Sequence, residues 1–185
     1  MKKYVLIAGV NGAGKSTLYS SEEKLWSIEK INLDEVVRSI GDWHNSDDVV
    51  KAGKIVLKRI DEYFNRGISF SQETTLCGKS IMKDIDRARS LGYLVEMYYV
   101  GLKSPELAKE RIKYRVLQGG HGISDKDVER RYIESLRKMR EVIPLCDKVY
   151  VYDNTNGFKR IAIYKNGECV HTSQMTPEWF KEALK

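Results

Sequence analysis

Cysteine, proline and histidine are scarce, at three of each in 185 residues. Cys77, Cys146 and Cys169 are odd in number, far apart and without Cys-x-x-Cys spacing, so neither a disulfide framework nor a zinc site is expected. A reducing cytoplasm is the expected setting. The three prolines punctuate the chain, and no repeat, low-complexity tract or linker breaks it, so residues 1–185 read as one domain. No apolar run approaches the roughly 20 residues of a membrane span. The opening Met-Lys-Lys-Tyr-Val-Leu-Ile-Ala stretch is too short for a secretory signal and runs straight into a glycine motif.

What the chain does carry is positive charge. The formal net charge is +6, and six of the twelve arginines fall between Arg111 and Arg140. An excess of this size favours an anionic partner without naming one: nucleic acid, phosphate ligands and plain solubility all fit.

Hydrophobic spacing predicts a βα alternation. Short strands are expected at Lys3–Ala8, Lys30–Leu33, Ile68–Glu73, Leu94–Val100 and Lys148–Asp153. Helices are expected to open at Lys15 and Glu35 and to run over Asp47–Arg66, Lys79–Leu91, Pro105–Leu117 and Asp125–Ile143, with Pro144 as a breaker. Ser104 caps before Pro105, and Thr176 is placed to cap a last helix ending near Leu184. Lys159–Lys165 and Glu168–Thr172, joined by Asn166-Gly167, give a strong hairpin signal. The expected fold is α/β: a five-stranded parallel sheet flanked by helices, a helical lid hinged at 118–124, and a C-terminal hairpin at 159–172. Ligands should bind beyond the C-terminal strand ends.

Gly9-Val-Asn-Gly-Ala-Gly-Lys-Ser-Thr17 fits G-x-x-x-x-G-K-[ST] in full, between an expected strand and an expected helix. Gly9, Asn11, Gly12, Ala13, Gly14, Lys15, Ser16 and Thr17 are therefore candidates for cradling the phosphates of ATP or GTP at a helix N-terminus. Lys15 supplies a point charge, and the Ser16 hydroxyl is the candidate Mg2+ ligand. This is the fold signature of a P-loop NTPase.

Two acids end strands on the same rim. Asp34 is either the base that receives a proton from an acceptor hydroxyl or the cap of the following helix. Glu73 with Thr74 and Thr75 either holds substrate or a metal-bound water, or is a polar strand end. No ordinary Walker B strand is present. Arg111 and Arg115 are four apart on one helix face, and Arg130 and Arg131 lie beyond Gly119, Gly120 and Gly122. A glycine-hinged segment bearing such arginines could stabilise a transferring phosphoryl group and exclude water. The bland alternative is surface pairing with Glu110, Glu129 or Glu134, and between Arg130 and Arg131 the sequence does not choose.

With these residues placed, the chain resembles the zeta-toxin family of P-loop kinases over about Tyr4 to Asn154. The carriers are the phosphate loop, Asn32-Leu-Asp34, Glu73-Thr-Thr75, Gly92-Tyr93, Ser104-Pro-Glu-Leu107, Arg115-Val116, Gly119-Gly-His121, Arg130-Arg-Tyr132 and Asp153-Asn154. The resemblance implies phosphorylation of the 3′-hydroxyl of UDP-N-acetylglucosamine or a related metabolite, and a small antitoxin as partner. It implies Asp34 as base and Glu73-Thr74 as substrate-binding. Beside it, the residues themselves make Lys15, Arg111 and Arg115 the catalytic candidates, Asn154 a candidate at the nucleotide, Arg130 and Arg131 candidates at the acceptor, and His121 an acceptor candidate that reads as a loop residue rather than a catalyst. The chain is shorter than the larger toxins, and its segment between strands two and three is largely one helix. The competing readings are a nucleotide-dependent switch acting through a protein partner, which needs no base, and a polynucleotide 5′-hydroxyl kinase, whose binding would weaken steeply with salt.

Overall fold

The computed structural model describes residues 1–78 and 80–185, with the side chain of Lys24 also outside the description. Seven strands form one sheet in the order β2-β3-β1-β4-β5-β6-β7. They are β1 (Lys3–Gly9), β2 (Glu29–Ile31), β3 (Phe70–Thr74), β4 (Leu94–Gly101), β5 (Lys148–Asp153), β6 (Lys159–Lys165) and β7 (Glu168–Thr172). The helices are α1 (Lys15–Ser21), α2 (Leu33–Ile40), α3 (Ser46–Arg66), α4 (Ser80–Ser90), α5 (Pro105–Leu117), α6 (Asp125–Val142) and α7 (Glu178–Ala183). The expected start of the fourth helix at Lys79 lies outside the described residues.

The five-stranded parallel sheet requires correction. β1 to β5 are parallel, but the hairpin is no appendage, because β6 pairs antiparallel with β5 and β7 with β6, giving a mixed seven-stranded sheet. Without β6, the inner edge strand β5 would leave a row of backbone donors and acceptors unpaired. Thr176 does not cap α7; its hydroxyl donates to Ser173 O, and Pro177 occupies the cap position.

β1 is buried on both faces, and its alternation separates two cores. Tyr4, Leu6 and Ala8 face Ile60 and Phe64 of α3, Ile81 and Ile85 of α4 and Met139 of α6. Val5 and Ile7 face Leu18 of α1, Ile112 of α5 and Val128 of α6. A strand covered on both sides is held rigidly, and the loop that leaves it inherits that rigidity. Register pairs Ile7 with Glu73 and Gly9 with Val100, which brings the end of β3 level with the start of the phosphate loop. Among the described residues no helix is long and apolar enough to cross a membrane.

Candidate active site

Gly9 opens the phosphate loop at φ 140°, and a Cβ there would lie 2.1 Å from Val100 O. Only glycine permits this approach to β4. Gly14 takes the N-cap position of α1 in a left-handed conformation, with no side chain capping the helix and no acid in its first turn. The leading N–H groups of α1 are thus left for an anion.

Lys15 is buried, and its Nζ donates to Gly9 O at 3.1 Å and Val10 O at 3.2 Å, with Glu73 Oε1 at 4.0 Å. Burial pushes its pKa below the ordinary lysine value; Glu73 and Asp34 pull it back up, and Arg115 opposes them. Glu73 is the hub of the site. Its Oε2 accepts from Ser16 Oγ at 3.0 Å and from Asn32 Nδ2 at 2.6 Å, so one carboxylate joins the loop lysine, the candidate metal serine and the start of α2.

Asn32, not Asp34, caps α2: its Oδ1 accepts from the N–H groups of Asp34 at 2.8 Å and Glu35 at 3.3 Å. Asp34 sits in the first turn, facing the cavity described below, and its carboxylate makes no hydrogen bond or ion pair among the described residues. Asn32→Ala is expected to lower stability by about 1 kcal/mol, the usual loss for a cap. Asn32→Asp keeps the capping oxygen but sets a carboxylate in place of the donor to Glu73, so it too is expected to lower the urea midpoint. A wild-type midpoint for the aspartate variant would mean that the Glu73 contact contributes no stability.

Beyond the strand ends lies a cavity of about 580 Å3. Asn11, Gly12, Lys15, Asp34, Glu73, Thr74, Arg115, His121 and Arg131 all line it, so nine of the residues singled out from sequence share one space. Thr74 Oγ1 accepts from Leu76 N at 3.0 Å, which leaves its hydroxyl hydrogen free to donate. Arg115 donates to His121 O at 2.5 Å, and Gly120 packs so closely that a Cβ would lie 2.6 Å from Arg115 Cγ. The 118–124 segment is irregular, and this arginine is fastened to it.

Outside the phosphate loop, Arg111, Arg130 and Asn154 lie away from this cavity. Arg111 turns to the carbonyls of Asn154 at 2.7 Å and Thr155 at 3.2 Å, one helical turn short of Arg115. The shared helix face does not bring them to one place, because α5 lies directly against the phosphate loop at Gly12, whose Cβ would meet Ala108 O at 2.9 Å. Arg130 is exposed and pairs with Asp127 at 2.9 Å and Glu134 at 3.1 Å, a surface network on its own helix. Of the two neighbouring arginines, Arg131 is the one at the cavity. Asn154 is buried, and its Nδ2 donates to Ala13 O at 2.8 Å, bracing the loop from the side away from Glu73.

Sequence reasoning missed Trp43. It lies in the short turn between α2 and α3, lines the cavity, and stacks on His121 with ring centroids 4.0 Å apart and planes at 20°. The signal was a lone aromatic within the polar run Gly41-Asp-Trp-His-Asn45. His121 is held below the ordinary histidine pKa, first by burial and then by Arg115, against the pull of Asp34.

The zeta toxin family model matches residues 1–176. An uncharacterised protein of Haemophilus influenzae is 32% identical over 130 residues, covering 70% of this chain and 92% of its own. A solved structure from the PezAT chromosomal toxin-antitoxin system of Streptococcus pneumoniae matches the whole chain with a TM-score of 0.64 at 20% identity, over 77% of its own length. The AvrRxo1-ORF1:AvrRxo1-ORF2 structure with sulphate ions matches it with a TM-score of 0.75 at 13% identity, over 64% of that chain. At such identities the structures speak for the fold alone. The family match runs from the first strand past the hairpin: the chain belongs to the zeta toxin family and is a phosphotransferase of that type.

Proposed function

We propose that this protein binds ATP or GTP with Mg2+ and transfers the γ-phosphate to a hydroxyl of a nucleotide-sugar, UDP-N-acetylglucosamine or a related metabolite. The observation that carries the reading is the convergence of Lys15, Asp34, Glu73, Arg115 and Arg131 on one cavity beside the phosphate loop. The residues fit a magnesium nucleotide. The uncapped start of α1 suits phosphate oxygens, and Ser16 with Glu73 would hold the ion. Among the described residues no group of three or more His, Cys, Asp or Glu could form a metal cage, which suits an ion that keeps mostly phosphate and water as ligands. When bound, the magnesium nucleotide supplies the transferable phosphoryl group.

The chain's own residues do the rest. Lys15 and Arg115 place positive charge where negative charge gathers, and Asp34, whose carboxylate has no hydrogen-bond partner among the described residues, takes the proton of the attacking hydroxyl. Arg131 faces the acceptor. The 118–124 segment acts as the lid hinge, carrying Arg115 with it. Asn154 and Arg111 stay at the nucleotide side, and a small antitoxin is the expected protein partner.

The test is incubation with γ-labelled ATP and UDP-N-acetylglucosamine, then with a deproteinised bacterial metabolite extract, and identification of the labelled product. Label in a sugar nucleotide supports the full reading, and label in another metabolite keeps the kinase but changes the acceptor. Release of inorganic phosphate alone favours the switch. Asp34→Asn is expected to keep nucleotide affinity and lower kcat by roughly 10²-fold or more. A kcat within about threefold of wild type would remove Asp34 from the chemistry.

A further inference from the structure

Among the described residues, three buried side-chain polar atoms lack a hydrogen-bond partner: Asn11 Oδ1, Trp43 Nε1 and Arg115 Nε. All three residues line the one cavity. Buried polar groups are otherwise nearly always paired, so three orphans in one space mark groups reserved for a ligand. Asn11 belongs to the phosphate loop and Arg115 to the cationic wall; Trp43 has no role in the reading above.

Its surroundings fix its orientation. Leu33, Ile55 and Val56 belong to the small apolar cluster that holds the indole, and the His121 ring lies flat on it. An indole N–H can only donate, so its partner must present an oxygen or another acceptor. Arg115 and Arg131 give the same cavity two cations. We infer that Trp43 binds the phosphoryl acceptor, donating from Nε1 to one of its oxygens. The inference rests on the reading that this cavity takes the acceptor. The wall is built from residues 43 and 121, so it is complete only while the hinge segment lies against the α2–α3 turn.

Trp43→Phe removes the N–H together with the pyrrole half of the indole but keeps an aromatic face for His121. The free protein loses no hydrogen bond, so the unfolding midpoint should fall only by the packing of the smaller ring. Transfer of label from γ-labelled ATP to a deproteinised metabolite extract should instead need about fivefold to tenfold more extract for half-saturation, the usual worth of one hydrogen bond. ATP affinity, measured without extract, should stay at the wild-type value, so the shift is read in the acceptor alone. Trp43→Ala, which also removes the stack, should show a larger shift.

Half-saturation of Trp43→Phe at the wild-type extract concentration would overturn the inference, and so would a midpoint that falls in step with transfer. If wild-type protein labels no metabolite, the acceptor reading itself fails and takes this inference with it. Labelling by wild type with an indifferent Trp43→Phe sinks the tryptophan alone.

Discussion

Lys15→Met is expected to lower phosphoryl transfer by roughly 10³-fold while leaving the protein at least as stable as wild type. The rate falls because a preorganised cation is lost where charge gathers. The stability follows from burial. The environment of the ammonium is on balance unfavourable, since desolvation outweighs the pull of Glu73 and Asp34 and lowers the pKa. An apolar chain of similar length relieves that penalty, which offsets the lost donation to Gly9 O and Val10 O, and Glu73 keeps its contacts with Ser16 and Asn32. The sign of the pH effect follows. A lysine with a lowered folded pKa binds its proton more weakly when folded than when unfolded, so its penalty is full below the folded pKa and fades as pH climbs to the ordinary lysine value. The advantage of Lys15→Met should therefore shrink with rising pH over that window. Urea unfolding at several pH values, beside turnover, checks both halves; a variant that turns over near wild type would remove the loop lysine from the mechanism.

Arg115→Ala is expected to cut kcat by up to roughly 10³-fold with little change in ATP affinity, because its guanidinium would act on charge that appears only in the transition state. Arg115→Lys should rescue little, since an ammonium lacks the planar fork that reaches two oxygens. Arg130→Ala is the internal control. Its surface pairs with Asp127 and Glu134 are screened by solvent and contribute little, so stability and turnover should both stay normal. Normal turnover by Arg115→Ala would end the lid reading at this position and pass the role to Arg131.

The parts of the molecule legible in the sequence are those written in consecutive residues. The phosphate loop needs nine neighbours and a strand before it, and Ser104-Pro105 announces α5 by capping alone. Asn166-Gly167 announces a hairpin but cannot say which strand it will join, because the pairing of β6 with β5 is a long-range event. The cap of α2 fell to Asn32 because asparagine and aspartate serve equally well and stand two residues apart, so propensity could not rank them. That assignment matters, because it leaves the Asp34 carboxylate with no capping duty. Arg111 and Arg115 show the limit of helical spacing: one stripe, two destinations, decided by what α5 packs against. Trp43 was invisible because its partner, His121, lies on a different element far along the chain.

The brace of the phosphate loop has a temporal consequence. Asn154 lies 141 residues beyond Ala13, whose carbonyl it holds. During synthesis the loop emerges well before its brace, which follows only after β4 and β5 have been made. Contacts of such sequence separation close slowly, because chain entropy must be spent before they form. The nucleotide motif gains this brace only once residue 154 has been made, so a nascent fragment ending before it would carry the complete signature and no working catalyst.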